Sequence, residues 1–402
     1  MSQDELRSAR TPWTSPPSHR ARPPEGGFRC DILVIGAGIT GALVAERLTR
    51  DGRDVAIVDR EQPGQGSTLA STAMLLWDID RSLVQLTELY SFERAARAYQ
   101  ASLSAARGLS ALISHYRLPC SFRPRKALYL AAGDTAEPLL AEATLRNSAG
   151  LPAAFLDHAA VRERFGINRP GAILSLDAAD CDPVALANGL LDLARGRGAQ
   201  LLKGEAKAFD ARANRVTVGF DDGSEAEANI VVLATGYVMP PLVHATIQQR
   251  SSSWAIATAP QPENLWPEEV LIWEATENYH YARTTADSRI IFGGEDDLDL
   301  VEPEEREAVI PAKARQLEEK LKALWPRARA PLACRWSGTF DTTHDGLPLI
   351  GAVMGAPNIF AAYGYGGNGI TFSYLAAALI AKRIAGGSSP LFDDFAIERD
   401  AP

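Results

Sequence analysis

Gly36, Gly38 and Gly41 stand in the order Gly36-Ala37-Gly38-Ile39-Thr40-Gly41, a spacing that leaves bare main chain where a helix begins. Such a stretch is suited to holding a pyrophosphate. Gly36 allows a tight turn, Gly38 keeps a side chain out of the way of the phosphates, and Gly41 lets the helix lie close to the preceding strand. The first helical turn, with Ile39 and Thr40, supplies unpaired N–H groups and a positive dipole end. Asp59 is the acceptor expected for ribose hydroxyls, and Arg60 follows it. A lone GxGxxG also fits a glycine-rich turn, so the flanking elements decide. Asp31–Ile35 is a branched, apolar run that reads as a buried parallel strand. Helical spacing continues to Gly52, and Val55–Val58 is a second strand ending at Asp59. Strand, helix, strand and terminal acid together indicate dinucleotide binding.

Three more stretches belong with this one. Ser67, Thr68, Ser71 and Thr72 form a small hydroxyl loop just past the second strand, where strand ends line the ligand crevice of such sheets. An N-cap and turn cluster is the alternative reading. Ile230–Leu233 runs into Ala234-Thr235-Gly236, a buried strand with a tight glycine turn. Gly366-Gly367-Asn368-Gly369-Ile370-Thr371 opens a late helix and makes a second dipole site, able to stabilise negative charge on a reduced ring. Close packing at a helix entry is the alternative there. Ala206 and the turn glycine Gly346 complete the expected cofactor contacts.

At 402 residues, 46% hydrophobic and 23% charged, the chain has the composition of a soluble globular protein with one large or two interleaved domains. Its net charge of −9 argues against nucleic acid as a partner. Cys30, Cys120, Cys181 and Cys334 form no CxxC pair, so neither a metal site nor a disulfide framework is expected. No run is long and apolar enough for a membrane span, and a cytoplasmic location is expected. Residues 1–27 are rich in Pro, Arg and Ser and read as a flexible or surface-hugging arm.

Between the motifs, residues 83–117 read as long helices, 125–131 as a strand, and 138–149 and 157–165 as helices. Asp182-Pro183 opens a helix as N-cap and first residue. Strands are expected at 200–209, 214–220 and 225–233, then at 254–259, 270–273, 280–284 and 289–293. Glu295-Asp296-Asp297 reads as a solvated acidic turn, 303–325 as helices interrupted by Pro311, and 332–340 as a strand.

Taken together, the amino-terminal fingerprint, the Ile230–Gly236 strand and the tail resemble the FAD-dependent D-amino-acid oxidase superfamily. The tail motifs are Arg335-Trp336-Ser337-Gly338, Asp345–Gly351 and Gly364–Gly369. The resemblance implies an α/β fold: a Rossmann-like FAD-binding domain from 28–80, 181–240 and 335–390, and a mixed-sheet substrate domain from 81–180 and 241–334. It implies oxidation of a C–N bond of a small amine or amino acid by hydride transfer to flavin, with oxygen or another acceptor taking the electrons. Two alternatives stand beside it. One is a flavin dehydrogenase acting on another substrate, such as a hydroxy acid, with a quinone or electron-transfer acceptor. The other is a non-catalytic flavoprotein subunit. Where many amine-oxidising relatives carry Ala-Ser-Gly-Arg-Asn-Gly-Gly, this chain has Ser67–Ala73, without the Arg and Asn. Cys334 falls where monomeric sarcosine oxidase bonds its flavin covalently. Non-covalent FAD is nevertheless expected, because buried cysteines are usually inert.

Flavin chemistry asks the protein for orientation and desolvation rather than a nucleophile. Tyr279, Tyr281 and Arg283 alternate along a strand and share one face, where the Arg can grip a substrate carboxylate bidentately. A structural ion pair is the competing reading for Arg283. Arg335 and Trp336 point to opposite faces, so at most one reaches the ring. His344 lies near the flavin-facing turn, Tyr363 and Tyr365 flank the glycine loop, and Trp77 and Asp78 follow the hydroxyl loop.

Overall fold

The computed structural model of the chain describes residues 7–16, 19–243, 247–300 and 302–399, whose strands form two sheets. One is built around Phe28–Ile35. Its order is Leu349–Val353, Ala356–Tyr363, Glu225–Leu233, Phe28–Ile35, Val55–Asp59 and Gln200–Lys203, with the ribbon Ala206–Arg212 and Arg215–Phe220 attached to Glu225–Leu233. Pairing is parallel from Ala356–Tyr363 through to Gln200–Lys203.

Alternation along the central strand sends residues to opposite faces. Ile32 and Val34 join the core made with the helices Ile39–Arg50, Pro183–Gly196 and Gly369–Ile384. Leu33 and Ile35 join Val216, Val218 and Ile359 on the other side. Both faces are covered, which is why the strand reads as an unbroken apolar run. Each such side chain contributes about 1.5–3 kcal/mol on burial. At the strand's end Gly36 has φ 111°, and a Cβ there would stand 2.3 Å from the Ala234 carbonyl oxygen, so glycine alone lets the chain turn past its neighbour. The helix at 183–196 starts as expected: the Asp182 carboxylate accepts the N–H groups of Val184 and Ala185.

The other sheet is larger and mixed. Its order is Arg7–Arg10, Leu332–Thr343, Gln248–Thr258, Ile290–Asp297, Tyr281–Thr284, Leu271–Glu274, Arg123–Leu130, Gly171–Asp180 and Met74–Leu75, and Ala153–Asp157 also pairs with Gly171–Asp180. The helix Pro303–Leu324 covers one face, packing Ile310, Leu317 and Leu321 against Ile256, Ala282 and Phe292.

Three expectations are corrected here. Pro311 does not interrupt its helix, which runs unbroken from Pro303 to Leu324. Pro311 and Glu307 are both exposed, so the carbonyl that loses its N–H partner can turn to water. The strand at 332–340 extends to Thr343 and pairs with Gln248–Thr258, so the stretch from 335 begins inside the larger sheet. Glu295-Asp296-Asp297 lies in the strand Ile290–Asp297 rather than in a solvated turn. Of the two readings of the amino-terminal arm, its described residues take the surface-hugging one. Arg7–Arg10 completes the edge of Leu332–Thr343, the Trp13 indole donates to the Ser71 carbonyl at 2.8 Å, and Arg22 bridges to Leu202. An exposed sheet edge offers unpaired N–H and C=O groups to any nearby strand, and here the arm takes them. Residues 1–6 and 17–18 of the arm lie outside the described residues.

Candidate active site

A cavity of about 480 Å³ is lined from both sheets, beginning at the glycine fingerprint and ending among aromatic side chains. At the first end stand Gly36, Gly38, Ile39 and Thr40, with Asp59, Arg60 and Ala206 beyond them. The Asp59 carboxylate accepts the N–H of Ala37 at 2.5 Å and of Glu61 at 2.8 Å. Burial pushes its pKa up, and those two donors pull it back. It therefore braces the turn that shapes the helix entry while lining the cleft.

Ser67, Thr68, Ser71 and Thr72 also line the cavity, as do Ala234, Thr235 and Gly236. The Thr68 hydroxyl accepts the Ile39 N–H at 2.9 Å, so the hydroxyl loop and the helix start are held together. The Ser67 hydroxyl is buried without a partner beside them. An orphaned hydroxyl, a side-chain-free turn at Gly38 and a helix amino terminus form a donor set that suits a pyrophosphate.

The carboxy-terminal loop meets the cavity through Tyr365, Gly366, Gly367, Asn368, Gly369 and Ile370. Residues Gly366–Asn368 form a short 3-10 turn ahead of the helix Gly369–Ile384. Thr40 and Ser373 hydroxyls meet at 2.7 Å, joining the starts of the first and last long helices. One N–H of the loop already has a partner: Gly367 donates to the Asp80 carboxylate at 2.8 Å. Gly366 has φ 57°, and a Cβ there would stand 2.0 Å from an Asp80 oxygen, so the loop lies directly on that carboxylate.

At the far end the walls are Trp254, Trp273, Tyr279, Tyr281 and Trp336, with Tyr365 opposite. Burial raises the pKa of the Tyr281 phenol to about 12 and those of Tyr279 and Tyr365 further, so all three stay neutral hydrogen-bonding groups. Asp80 and Asp296 are half-buried in the same region, and desolvation pushes each carboxyl up to about 6. The Gly367 N–H and Arg81 act against the shift at Asp80. At Asp296 the Asp80 charge adds to it, while Ser253, His280 and Lys313 oppose it.

Several expected site residues lie elsewhere. Arg283 shares a face with Tyr281, but it is 2% exposed and does not line the cavity. Its guanidinium donates to the carbonyls of Thr72 and Ala73 at 2.8 Å and of Cys181 at 3.0 Å, and it lies 3.4 Å from Asp180. It braces the back of the hydroxyl loop and offers no grip for a substrate carboxylate. His344 is exposed and outside the cavity, on a turn whose backbone bonds to Ile247. Gly346 packs against Arg81, and the Thr371 hydroxyl donates to the Leu76 carbonyl at 2.7 Å, so neither lines the cavity. Gly41 packs against the Gly36 carbonyl, the helix–strand role its spacing suggested, and it too is away from the surface of the cleft. Tyr363 is buried in the core behind the loop. Of the pair at 335 and 336, Trp336 faces the cavity and Arg335 is exposed. Cys334 does not line the cavity; it packs with Ala255, Ala257 and Ile291.

Asp80, Asp296, Trp254 and Trp273 are cavity residues that the motifs did not indicate. For Asp80 a signal existed: Asp78 and Asp80 alternate with apolar residues in Leu76-Trp77-Asp78-Ile79-Asp80. Asp78 is fully buried and paired with Arg146, which also holds Glu142 at 2.6 Å. Asp296 had no such signal. The strand carries a register shift opposite Ser252 and Trp254, with Glu295 at φ 62°. Ile291 packs with Trp336 and Gly293 lies against Tyr281, on the face those cavity residues share, and strict alternation would put Glu295 there next. The bulge puts Asp296 there instead and leaves Glu295 with His280 at 2.9 Å on the opposite face.

A parallel α/β sheet with this helix entry, joined through one cavity to a second, aromatic-walled sheet, defines a dinucleotide-dependent enzyme. The chain matches the FAD dependent oxidoreductase family (DAO) over residues 31–383 and belongs to it. It is an FAD-dependent oxidoreductase. It is similar to gamma-glutamylputrescine oxidoreductase of Escherichia coli, 25% identical over 377 residues, covering 91% of this chain and 86% of that protein. Among solved structures it resembles glycine oxidase from Geobacillus kaustophilus, with TM-score 0.77 and 20% identity over 93% of this chain and 100% of that one. Iminodiacetate oxidase from Chelativorans sp. BNC1 is similar, with TM-score 0.73 and 20% identity over 92% and 99%. Among the described residues no helix is long and apolar enough to cross a membrane.

Proposed function

We propose that the protein oxidises a carbon–nitrogen bond of a small amine or amino acid. The observation that carries this reading is the continuity of the cavity from Gly36 and Gly38 to Trp273, Tyr281 and Trp336. FAD, when bound, accepts the hydride. This chain's residues bind, orient and desolvate. Gly38, the helix start at Ile39–Thr40 and the Ser67 hydroxyl hold the pyrophosphate, and Asp59 meets the ribose. The loop Gly366–Ile370 would hold the ring of bound FAD on its pyrimidine side, and the aromatic end would exclude water from the reacting carbon. In this reading the sheet around Phe28–Ile35 is the cofactor layer and the larger sheet the substrate layer. The similarity to an oxidoreductase named for gamma-glutamylputrescine, and to oxidases named for glycine and iminodiacetate, supports a C–N substrate over a hydroxy acid or a non-catalytic role. A cytoplasmic enzyme passing electrons to oxygen or another acceptor is part of the same reading.

The test is anaerobic mixing of the purified yellow protein with panels of amines, amino acids and hydroxy acids. Bleaching of the flavin band by an amine or amino acid, and peroxide on admitting air, is the expected result. Bleaching by hydroxy acids alone overturns it.

A further inference from the structure

The cavity's aromatic end has an unbalanced charge. Among the described residues lining the cavity the cationic side chains are Arg60 and Lys207, beside Asp59 and Ala206 at the nucleotide end. Both lie against Glu205, at 4.0 Å and 2.8 Å. Arg283, two residues from Tyr281, is closed off behind Thr72 and Ala73, and Arg335, next to Trp336, is exposed and outside the cavity. What the aromatic end does contain is Asp80 and Asp296, and the charge of Asp80 acts on Asp296. The Asp80 carboxylate and the Tyr279 hydroxyl meet at Gly367, within 3.1 Å and 2.7 Å of where its Cβ would stand. One Asp296 oxygen is buried with no hydrogen-bond partner. Trp273, only 6% exposed, also lines this space.

We infer that Asp80 and Asp296 anchor the substrate's ammonium group, and that the enzyme selects amines whose reacting carbon carries no carboxylate. This rests on the proposed C–N oxidation. Carboxylates and indole or phenol faces both attract a cation. A substrate carboxylate at the same place would be stripped of water next to two like charges, and Arg81, His280 and Lys313, whose charges reach those carboxyls, do not line the cavity to meet it. The same pair can take the proton that must leave before oxidation. An ammonium R–CH2–NH3+ gives one proton to a carboxylate and becomes the free amine. The C–H bond then breaks with both electrons going to FAD as hydride, and the nitrogen lone pair closes the C=N bond of the iminium R–CH=NH2+.

The test uses a matched pair on the FAD-loaded enzyme: n-pentylamine, and D- and L-norleucine, which are pentylamine with a carboxylate added. Binding is read from the shift of the flavin absorption band, and turnover from its bleaching. Pentylamine should bind at least tenfold tighter than either norleucine, and D296N should reduce that preference to less than threefold while the flavin stays bound. D80N is the second variant, with the same expectation. Norleucine binding as tightly as pentylamine, or an unchanged preference in D296N that has retained its flavin, overturns the inference but leaves C–N oxidation standing. No shift or bleaching with any of the three overturns the inference, and C–N oxidation falls with it only if every amine and amino acid of the wider panel also fails to bleach the flavin.

Discussion

Arg283 and Asp180 lie 3.4 Å apart behind the hydroxyl loop, and the same guanidinium binds the carbonyls of Thr72, Ala73 and Cys181. Burial lowers the Arg283 pKa while Asp180 supports its charge. Truncating it leaves Asp180, which is fully buried, with less of its positive surroundings. R283A is therefore expected to cost about 3–5 kcal/mol of folding stability, seen as a lowered Tm and a lowered denaturant midpoint. Any rise in KM should be the same for amines and for amino acids. A rise confined to carboxylate-bearing substrates would return Arg283 to the binding site.

The turn at Gly38 makes a sharper test of cofactor placement. A Cβ there would approach the Thr68 hydroxyl at 3.1 Å, and that hydroxyl holds the Ile39 N–H. G38E adds bulk and a negative charge where phosphates are proposed to rest. The purified variant should be folded by circular dichroism and colourless. If it kept a full complement of flavin, the pyrophosphate would have to lie elsewhere.

His280 links stability to pH. Its ring nitrogens each stand 2.9 Å from a carboxylate oxygen, of Glu274 and of Glu295, with Lys320 nearby. Burial works against its charge, but the two carboxylates raise its pKa above the ordinary value near 6.5. Glu274 is held down at about 2 against burial by His280 and Arg169. A raised base stabilises the fold below its unfolded pKa and loses that contribution as pH rises through the folded value. A depressed acid does so above its own unfolded value. The cluster therefore contributes most between about pH 4.5 and 6.5. H280Q should lower stability by about 1–2 kcal/mol in that window and by less at pH 9. Tm measured at both pH values checks this, and an equal gap at each would refute it.

Cys334 bears on how the flavin is held. Cys334 does not line the cavity but packs with Ala257 and Ile291 behind Trp336, and burial raises its pKa. A raised pKa disfavours the thiolate that attachment chemistry needs. Acid precipitation of the yellow protein should leave FAD in the supernatant, and C334S should keep its colour. Colour remaining in the pellet of the wild type but not of C334S would establish a covalent bond.

What local chemistry dictates was readable from residue order. The strand at 32–35, the turn at Gly36, the helix that follows and the acid at Asp59 are set by periodicity and by backbone freedom over a short span, and they stand as expected. The Asp182-Pro183 helix start was legible for the same reason: a side chain caps N–H groups two and three residues away. Alternation also put Tyr279 and Tyr281 correctly on the cavity side. It could not say what covers the next residue on that face, and Arg283 met the main chain of a loop 210 residues away. Nor could it foresee the bulge opposite Trp254, which turned Asp296 inward in place of Glu295. The sequence by itself determined the family, the cofactor and the glycine turn into the first long helix, because these depend on neighbours along the chain. Only the tertiary structure decided which charges share the cavity, because side chains from distant strands compete there for burial and for partners.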